Sequence, residues 1–284
     1  MFIFAAALSF LARASTAGPT PESALWADLA AAAPGPARAA LASRLLLGAP
    51  YVRSPLGEGK TPDADPRFRL DAFDCVTFVE TAIALGHAAS AAEARALLDD
   101  VRYDGPADFQ HRNHYLEAQW LPANARKGWV EEVTERVAGA WAVPFRVRLD
   151  EEGWRAAERA GNVLADLDPG RRPRGAWAYS LVPLARLVAL APRIPEGTIL
   201  LVVREERRAR PYRVTHLGLV VAGPRGGRLV RHASDAPGAM RVRDEPLDRF
   251  AARLARFAWP VTGASLWAVR GNRERAAGLL RARE

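Results

Sequence analysis

The 284-residue sequence predicts an α+β protein, with helices first and an antiparallel sheet afterwards. Val76, Phe78, Val79, Ala82, Ile83 and Leu85 make residues 75–86 apolar on most faces of a helix, the profile of a buried central helix. In the last third, residues 198–203, 215–221, 228–233, 240–242 and 265–269 read as short strands separated by Gly and Pro turns. With 49% hydrophobic and 25% charged residues, the chain can bury roughly three quarters of its unfolded surface without help from disulfides.

Residues 2–12 are apolar and are followed by Arg13 and by small residues through Ala17. This profile marks 1–17 as a secretory signal and the mature protein as exported to the periplasm, with no stable membrane insertion after processing. The stretch has no basic flank before it, so a misassigned start or a buried N-terminus is the alternative. Nothing else in the chain is apolar and long enough to span a bilayer. Residues 18–40, rich in alanine and proline, form a lead-in with a short helix over 25–33, and 41–284 form one domain.

Within that domain a helical turn or two over 41–47 precedes a loop reaching about residue 71, marked by Gly48, Pro50, Pro55, Gly57 and Gly59. Asp74 is placed to cap the helix that begins at Cys75. Ser90 and Glu93 have the spacing of a capping box and open a second helix, to about residue 99. Residues 103–129 are irregular and crowded with His111, Arg112, His114, Tyr115, Trp120 and Trp129, the composition of a recognition surface. An extended piece over 145–149, a charged helix over 151–159 and a helix over 183–191 follow. An amphipathic helix over 246–257 interrupts the strands.

The net charge of +8 is carried almost wholly by arginine, since lysine stands only at Lys60 and Lys127. Codon bias explains the arginine and alanine excess; an acidic partner such as an anionic cell-wall polymer is the functional alternative. The arginines are scattered, with no basic run interleaved with aromatics, which argues against nucleic acid as a partner. The sequence does not specify an oligomeric state.

Cys75 is the one cysteine, so it cannot form an internal disulfide. A helix N-terminus favours the thiolate, through the dipole and the free N–H groups, and predicts a lowered thiol pKa. A buried structural cysteine is the alternative. Two histidines on predicted strands tip the balance. His216 shares a face with Gly218 and Val220, and His232 lies one hairpin later, so adjacent antiparallel strands bring the imidazoles within reach of each other. A cysteine, a histidine and a polar third residue form a nucleophilic relay.

The stretch Asp71-Ala72-Phe73-Asp74-Cys75-Val76-Thr77-Phe78-Val79-Glu80, then Arg112-Asn113-His114-Tyr115 with Trp120, Thr215-His216-Leu217-Gly218 and His232-Ala233-Ser234, resembles the DUF1460 branch of the NlpC/P60 superfamily. The likeness runs in the same order over residues 48–243. It implies a papain-like fold in which a helix-borne cysteine packs on an antiparallel sheet. It also implies an N-acetylmuramoyl-L-alanine amidase acting on small muropeptides, some of them ending in anhydro-muramic acid, with no cofactor. Carried over, Cys75 is the nucleophile, His216 the general base and His232 the residue that orients it. Tyr51, in Gly48-Ala49-Pro50-Tyr51, is similar to a tyrosine that helps hold the oxyanion with the Cys75 N–H. The catalytic domain is then 41–284. Two departures, Gly197-Thr198 where relatives often carry Gly-Asp and Arg213 where an acidic residue often precedes the histidine, touch substrate detail more than chemistry. Cleavage between D-glutamate and a diamino acid, and peptidoglycan binding without catalysis, remain the alternatives.

For the substrate side, Arg112, His114, Tyr115 and Trp120 are the candidate cleft residues, Arg112 as partner for a substrate carboxylate. Trp129 and Trp141 are further candidates for stacking on sugars. His111 and His114 have a zinc-like spacing, but no third ligand stands nearby, so no metal is expected. Asp71 and Glu80 read as solvated carboxylates.

Overall fold

In the computed structural model, residues 21–223 and 226–281 are described; the segment read as a signal, 1–17, lies outside them. The elements run α1 (Pro21–Ala30), α2 (Pro36–Leu45), α3 (Cys75–Leu85), α4 (Ala91–Arg102), α5 (Leu121–Lys127), β1 (Val130–Glu132), α6 (Thr134–Ala138) and β2 (Val143–Leu149). They continue with α7 (Glu151–Arg159), β3 (Gly175–Pro183), α8 (Leu184–Leu187), β4 (Thr198–Arg204), β5 (Val214–Ala222), β6 (Arg228–Ser234), β7 (Arg241–Pro246), α9 (Leu247–Leu254), β8 (Val261–Val269) and α10 (Arg273–Arg281). The sheet is antiparallel throughout, in the order β2-β3-β8-β4-β5-β6-β7, with β1 pairing beside β3 on β8. The fold is therefore α+β, helices leading and an antiparallel sheet following.

Period-2 alternation along the strands divides the interior in two. Ile199, Leu201, Leu217, Leu219 and Ala233 face a core shared with Phe78, Val79 and Ile83 of α3 and Leu97 of α4. Leu200, Val202, Val220 and Val230 face the opposite core, closed by Leu187 of α8 and by Leu247, Phe250 and Leu254 of α9. Helix α3 is the most apolar and the most central because its residues from Thr77 to Leu85 are all buried. Its start is fixed by a reciprocal cap: Asp74 Oδ1 accepts the Thr77 N–H at 2.8 Å, and the Thr77 hydroxyl accepts the Asp74 N–H at 2.9 Å.

Several elements depart from the sequence expectation. The 103–129 segment is compact: a 3-10 turn (Phe109–His111), a π-helical turn (Leu116–Trp120) and α5 follow one another. Strand β3 was not expected; along β2 it turns Trp177 and Tyr179 to the core and Ala176 and Ala178 outward. The helix expected over 183–191 shrinks to α8, since Pro183 still belongs to β3.

Candidate active site

Cys75 is the first residue of α3 and opens onto a cleft of about 840 Å³ between α3, β5, the 113–116 segment and the 161–164 turn. Asp74 takes the Thr77 N–H with its side chain and the Phe78 N–H with its carbonyl, leaving those of Cys75 and Val76 at the open end of the helix. The Leu217 N–H, on β5, donates toward the thiol. The β5–β6 ladder explains why that group is available: it runs from Leu219–Arg231 to Ala222–Arg228 and stops short of Leu217, so the strands part where α3 begins.

Burial first, and then Asp74, pushes the Cys75 thiol up to about 12, against the N–H groups of Leu217 and of Cys75 itself. This corrects the expectation of a lowered value. The helix end contributes fixed dipoles, but a half-buried thiol beside a carboxylate loses more hydration than they replace. At neutral pH the resting group is the thiol. Alkylation by iodoacetamide is therefore expected to accelerate about tenfold per pH unit between pH 7 and 9; a rate already level at pH 7, read by mass spectrometry of the Cys75 peptide, contradicts this.

His216 and His232 stand on the sheet face covered by α9. Their rings meet edge to face at 89°, with His216 Nε2 2.8 Å from His232 Nδ1, and both pack on Phe250. Gly218 makes the approach possible, since a Cβ there would fall 2.8 Å from that of His232 and 2.7 Å from the Arg231 carbonyl. Cys75 has no hydrogen bond to His216 among the described residues; the thiol meets the N–H of Leu217, the next residue along the strand, and alternation sets the His216 side chain on the face opposite the α3 core rather than facing the cysteine. Burial, followed by the neighbouring His232 and Arg253, holds His216 well below 6.5, so its ring is neutral at physiological pH.

Glu245, which the sequence reading missed, continues the row. Its Oε2 lies 3.3 Å from His232 Nε2, a buried nitrogen with no other partner among the described residues. Arg253 of α9 grips the same carboxylate with Nε at 3.1 Å and Nη2 at 2.8 Å. Although burial works the other way, bonds from His232 and Arg253 bring Glu245 down to about 2. A second missed carboxylate, Glu117, is buried in the π-helical turn and accepts the Arg213 and Val214 N–H groups at 2.6 Å each, anchoring the start of β5.

Tyr51 sits beside the cysteine: its backbone bridges to Phe73 and donates to the Met240 carbonyl at 2.9 Å. Burial, then Cys75, Asp235 and Asp74, pushes its phenol up to about 12, so it remains an O–H donor. His114 and Tyr115 line the cleft. His114 packs on Phe109, contacts the Phe109 carbonyl at 2.7 Å and is held at about 4 by burial, hence neutral.

Arg112 and Trp120 do not line it. Arg112 is clamped by Glu58 and Asp63, at 2.9 Å through Nε and Nη2 respectively, and stacks on Phe109, which ties the 58–63 loop to the 3-10 turn. Trp120 is fully buried, its indole N–H donating to Glu80 Oε1 at 2.9 Å. Glu80 is itself buried against Arg102 rather than solvated. Trp129 is likewise a core residue, whereas Trp141 is exposed under Arg186, away from the cleft-lining residues. No group of three or more His, Cys, Asp or Glu suited to a metal occurs among the described residues.

The sequence model of the family described as AmiA-like, N-acetylmuramoyl-L-alanine amidase-like, matches residues 41–255. No curated protein matches the chain. Among solved structures it is similar to a Legionella pneumophila protein of the DUF1460 family, at 20% identity and a TM-score of 0.73 over 88% of this chain and 94% of that one. It is also similar to an N-acetylmuramoyl-L-alanine amidase from Bacteroides uniformis. Two structures of that enzyme give 21% identity and a TM-score of 0.62 over 80% of this chain and 97% of that one, and 20% and 0.63 over 87% and 99%. At these identities the likeness is one of fold.

Proposed function

The chain belongs to the AmiA-like, N-acetylmuramoyl-L-alanine amidase-like family, and from that membership we propose that it is a cysteine amidase of the papain-like NlpC/P60 type. It hydrolyses the amide between the lactyl carbonyl of N-acetylmuramic or anhydro-muramic acid and L-alanine in muropeptides. The observation that carries this is the 2.8 Å pairing of His216 with His232 on the strand whose next residue meets the Cys75 thiol. The name of the Bacteroides uniformis neighbour supports the substrate class.

Glu245 decides which nitrogen acts. An anionic carboxylate beside His232 Nε2 keeps a proton there, so His232 Nδ1 is a bare acceptor. That acceptor draws the proton of His216 to Nε2, which leaves His216 Nδ1 unprotonated and able to take the thiol proton. In the reaction the start of β5, which lies beyond the end of the β5–β6 ladder, shifts to bring His216 Nδ1 to the thiol; the thiol loses its proton there, and the sulfur attacks the lactyl carbonyl. Hydrogen bonds of catalytic pairs commonly tighten only in such complexes. The oxyanion accepts from the Cys75 N–H and the Tyr51 hydroxyl. The imidazolium then protonates the leaving L-alanyl amine as the C–N bond breaks, and a water deprotonated by His216 opens the thioester. A neutral thiol and a neutral imidazole at rest make this general-base catalysis rather than attack by a standing ion pair.

Glu245→Gln tests the chain of tautomers. The amide offers its oxygen to Arg253 and its NH₂ to His232, which reverses both rings and puts a proton on His216 Nδ1. A loss of about 10²-fold or more in kcat is expected with the fold intact, by analogy with the wrong-tautomer effect in serine hydrolases. Histidine ¹⁵N chemical shifts read the tautomers directly. Unchanged shifts and rate in the variant exclude a role for Glu245.

A further inference from the structure

Among the described residues, the cleft is lined by three arginines, Arg53, Arg204 and Arg210, and by neither aspartate nor glutamate. None of the three meets a carboxylate among the described residues. Arg204 spends Nε on the Thr215 hydroxyl at 2.8 Å and Nη1 on the Trp259 carbonyl. Arg210 spends Nη1 on the Tyr212 hydroxyl at 2.9 Å and on Asn162 Oδ1. A guanidinium carries five N–H donors, so each of these two keeps three unspent. Both planes are held by one indole: Arg204 lies 5.3 Å and Arg210 5.7 Å from the Trp259 ring centroid, and Arg204 also covers Phe257 at 4.6 Å. Arg207 crowds the same indole at 5.2 Å. Burial first, and then Arg207, lowers the Arg204 pKa. Arg102, Arg112 and Arg231, by contrast, are met by acids, Glu80, Glu58 and Asp244 respectively.

We propose that Arg204 and Arg210, braced on Trp259 and assisted by Arg53, form a subsite for carboxylates of the peptide that leaves with the amine. This deepens the amidase reading and rests on it for the direction in which the substrate lies. The carboxyl group of muramic acid is consumed in the scissile amide, so every free carboxylate of a muramoyl peptide is on the peptide side. Planar forks stacked on an aromatic face suit bidentate carboxylate recognition and lose little freedom on binding. The role assigned from sequence to Arg112 thus falls to Arg204 and Arg210, which line the cleft that Arg112 does not. The preferred substrate is a peptide with free acidic groups; converting those groups to amides removes the partner while keeping size and shape.

The test uses the whole protein with N-acetylmuramoyl-L-alanyl-D-glutamate and its diamide. For the wild type, amidation is expected to lower kcat/KM about tenfold or more, chiefly by raising KM. Arg210→Gln should lower kcat/KM on the acidic substrate several-fold more than on the diamide; Arg53→Gln, at an exposed side chain with no hydrogen bond among the described residues, should do the same to a smaller degree. Equal losses on both substrates indicate that the arginines only build the loop and overturn the subsite, as does indifference of the wild type to amidation. Calorimetry of L-alanyl-D-glutamate with Cys75→Ser protein separates the two proposals. Dipeptide binding that Arg210→Gln abolishes, without cleavage of any muramoyl amide, sinks the amidase reading alone; cleavage with no dipeptide binding and no amidation effect sinks the subsite alone.

Discussion

Replacement of Cys75 by alanine is expected to reduce kcat on a muramoyl peptide by at least about 10⁴-fold, because no acyl-enzyme forms without the sulfur. Folding should survive, for reasons local to the helix start. The cap that fixes α3 is made by Asp74 and Thr77, and the packing by residues from Thr77 onward, so neither depends on the thiol. Circular dichroism and the thermal midpoint should therefore stay close to wild type while product release, followed by liquid chromatography, falls to background. Near-normal turnover in the variant removes Cys75 from the chemistry.

His216→Ala should follow, at a loss of about 10² to 10⁴-fold, the range for a general base. His232→Ala is expected to cost less, since it removes the group that orients His216 and sets its tautomer but not the group that takes the proton. The ranking is specific to the row His216, His232, Glu245, in which only the first member is adjacent in the chain to the residue that meets the thiol. A His232 variant that loses as much as the His216 variant, with both folded, assigns His232 the base instead. Steady-state kinetics of the two purified variants over pH 5 to 9 checks the order.

The chemistry-bearing part of the fold was readable in the sequence wherever the signals are local. Asp74 before an apolar helix, and alternation through Thr215–Val221 and 228–233, place Cys75, His216 and His232 with no tertiary information. The residues that were missed or misplaced depend on contacts distant in sequence. Glu245 sits in Arg243-Asp244-Glu245, which reads as solvated charge; the β6–β7 register pairs it with Val230, making it the diagonal neighbour of His232 on the same face. Arg112 and Trp120 have the composition of a binding surface, yet their partners, Glu58 and Glu80, lie 54 and 40 residues away. The thiol's raised pKa is likewise invisible in a helix-start motif, because it comes chiefly from burial, a tertiary effect. Strand β3 escaped because its outward face carries Ala176 and Ala178 rather than polar residues, so the inward alternation of Trp177 and Tyr179 shows no apolar-to-polar period in the sequence.

The most direct test traps the covalent intermediate. The enzyme is mixed with a muramoyl peptide, quenched in acid within the first turnover and digested, and the Cys75 peptide is weighed. The expected adduct is an N-acetylmuramoyl group in thioester linkage to Cys75, with free L-alanyl peptide in the supernatant. A Cys75 adduct that contains the L-alanyl-D-glutamyl portion, with a diamino acid released, contradicts the amidase assignment in favour of endopeptidase cleavage; release of L-alanyl peptide with Cys75 never acylated contradicts the cysteine mechanism itself.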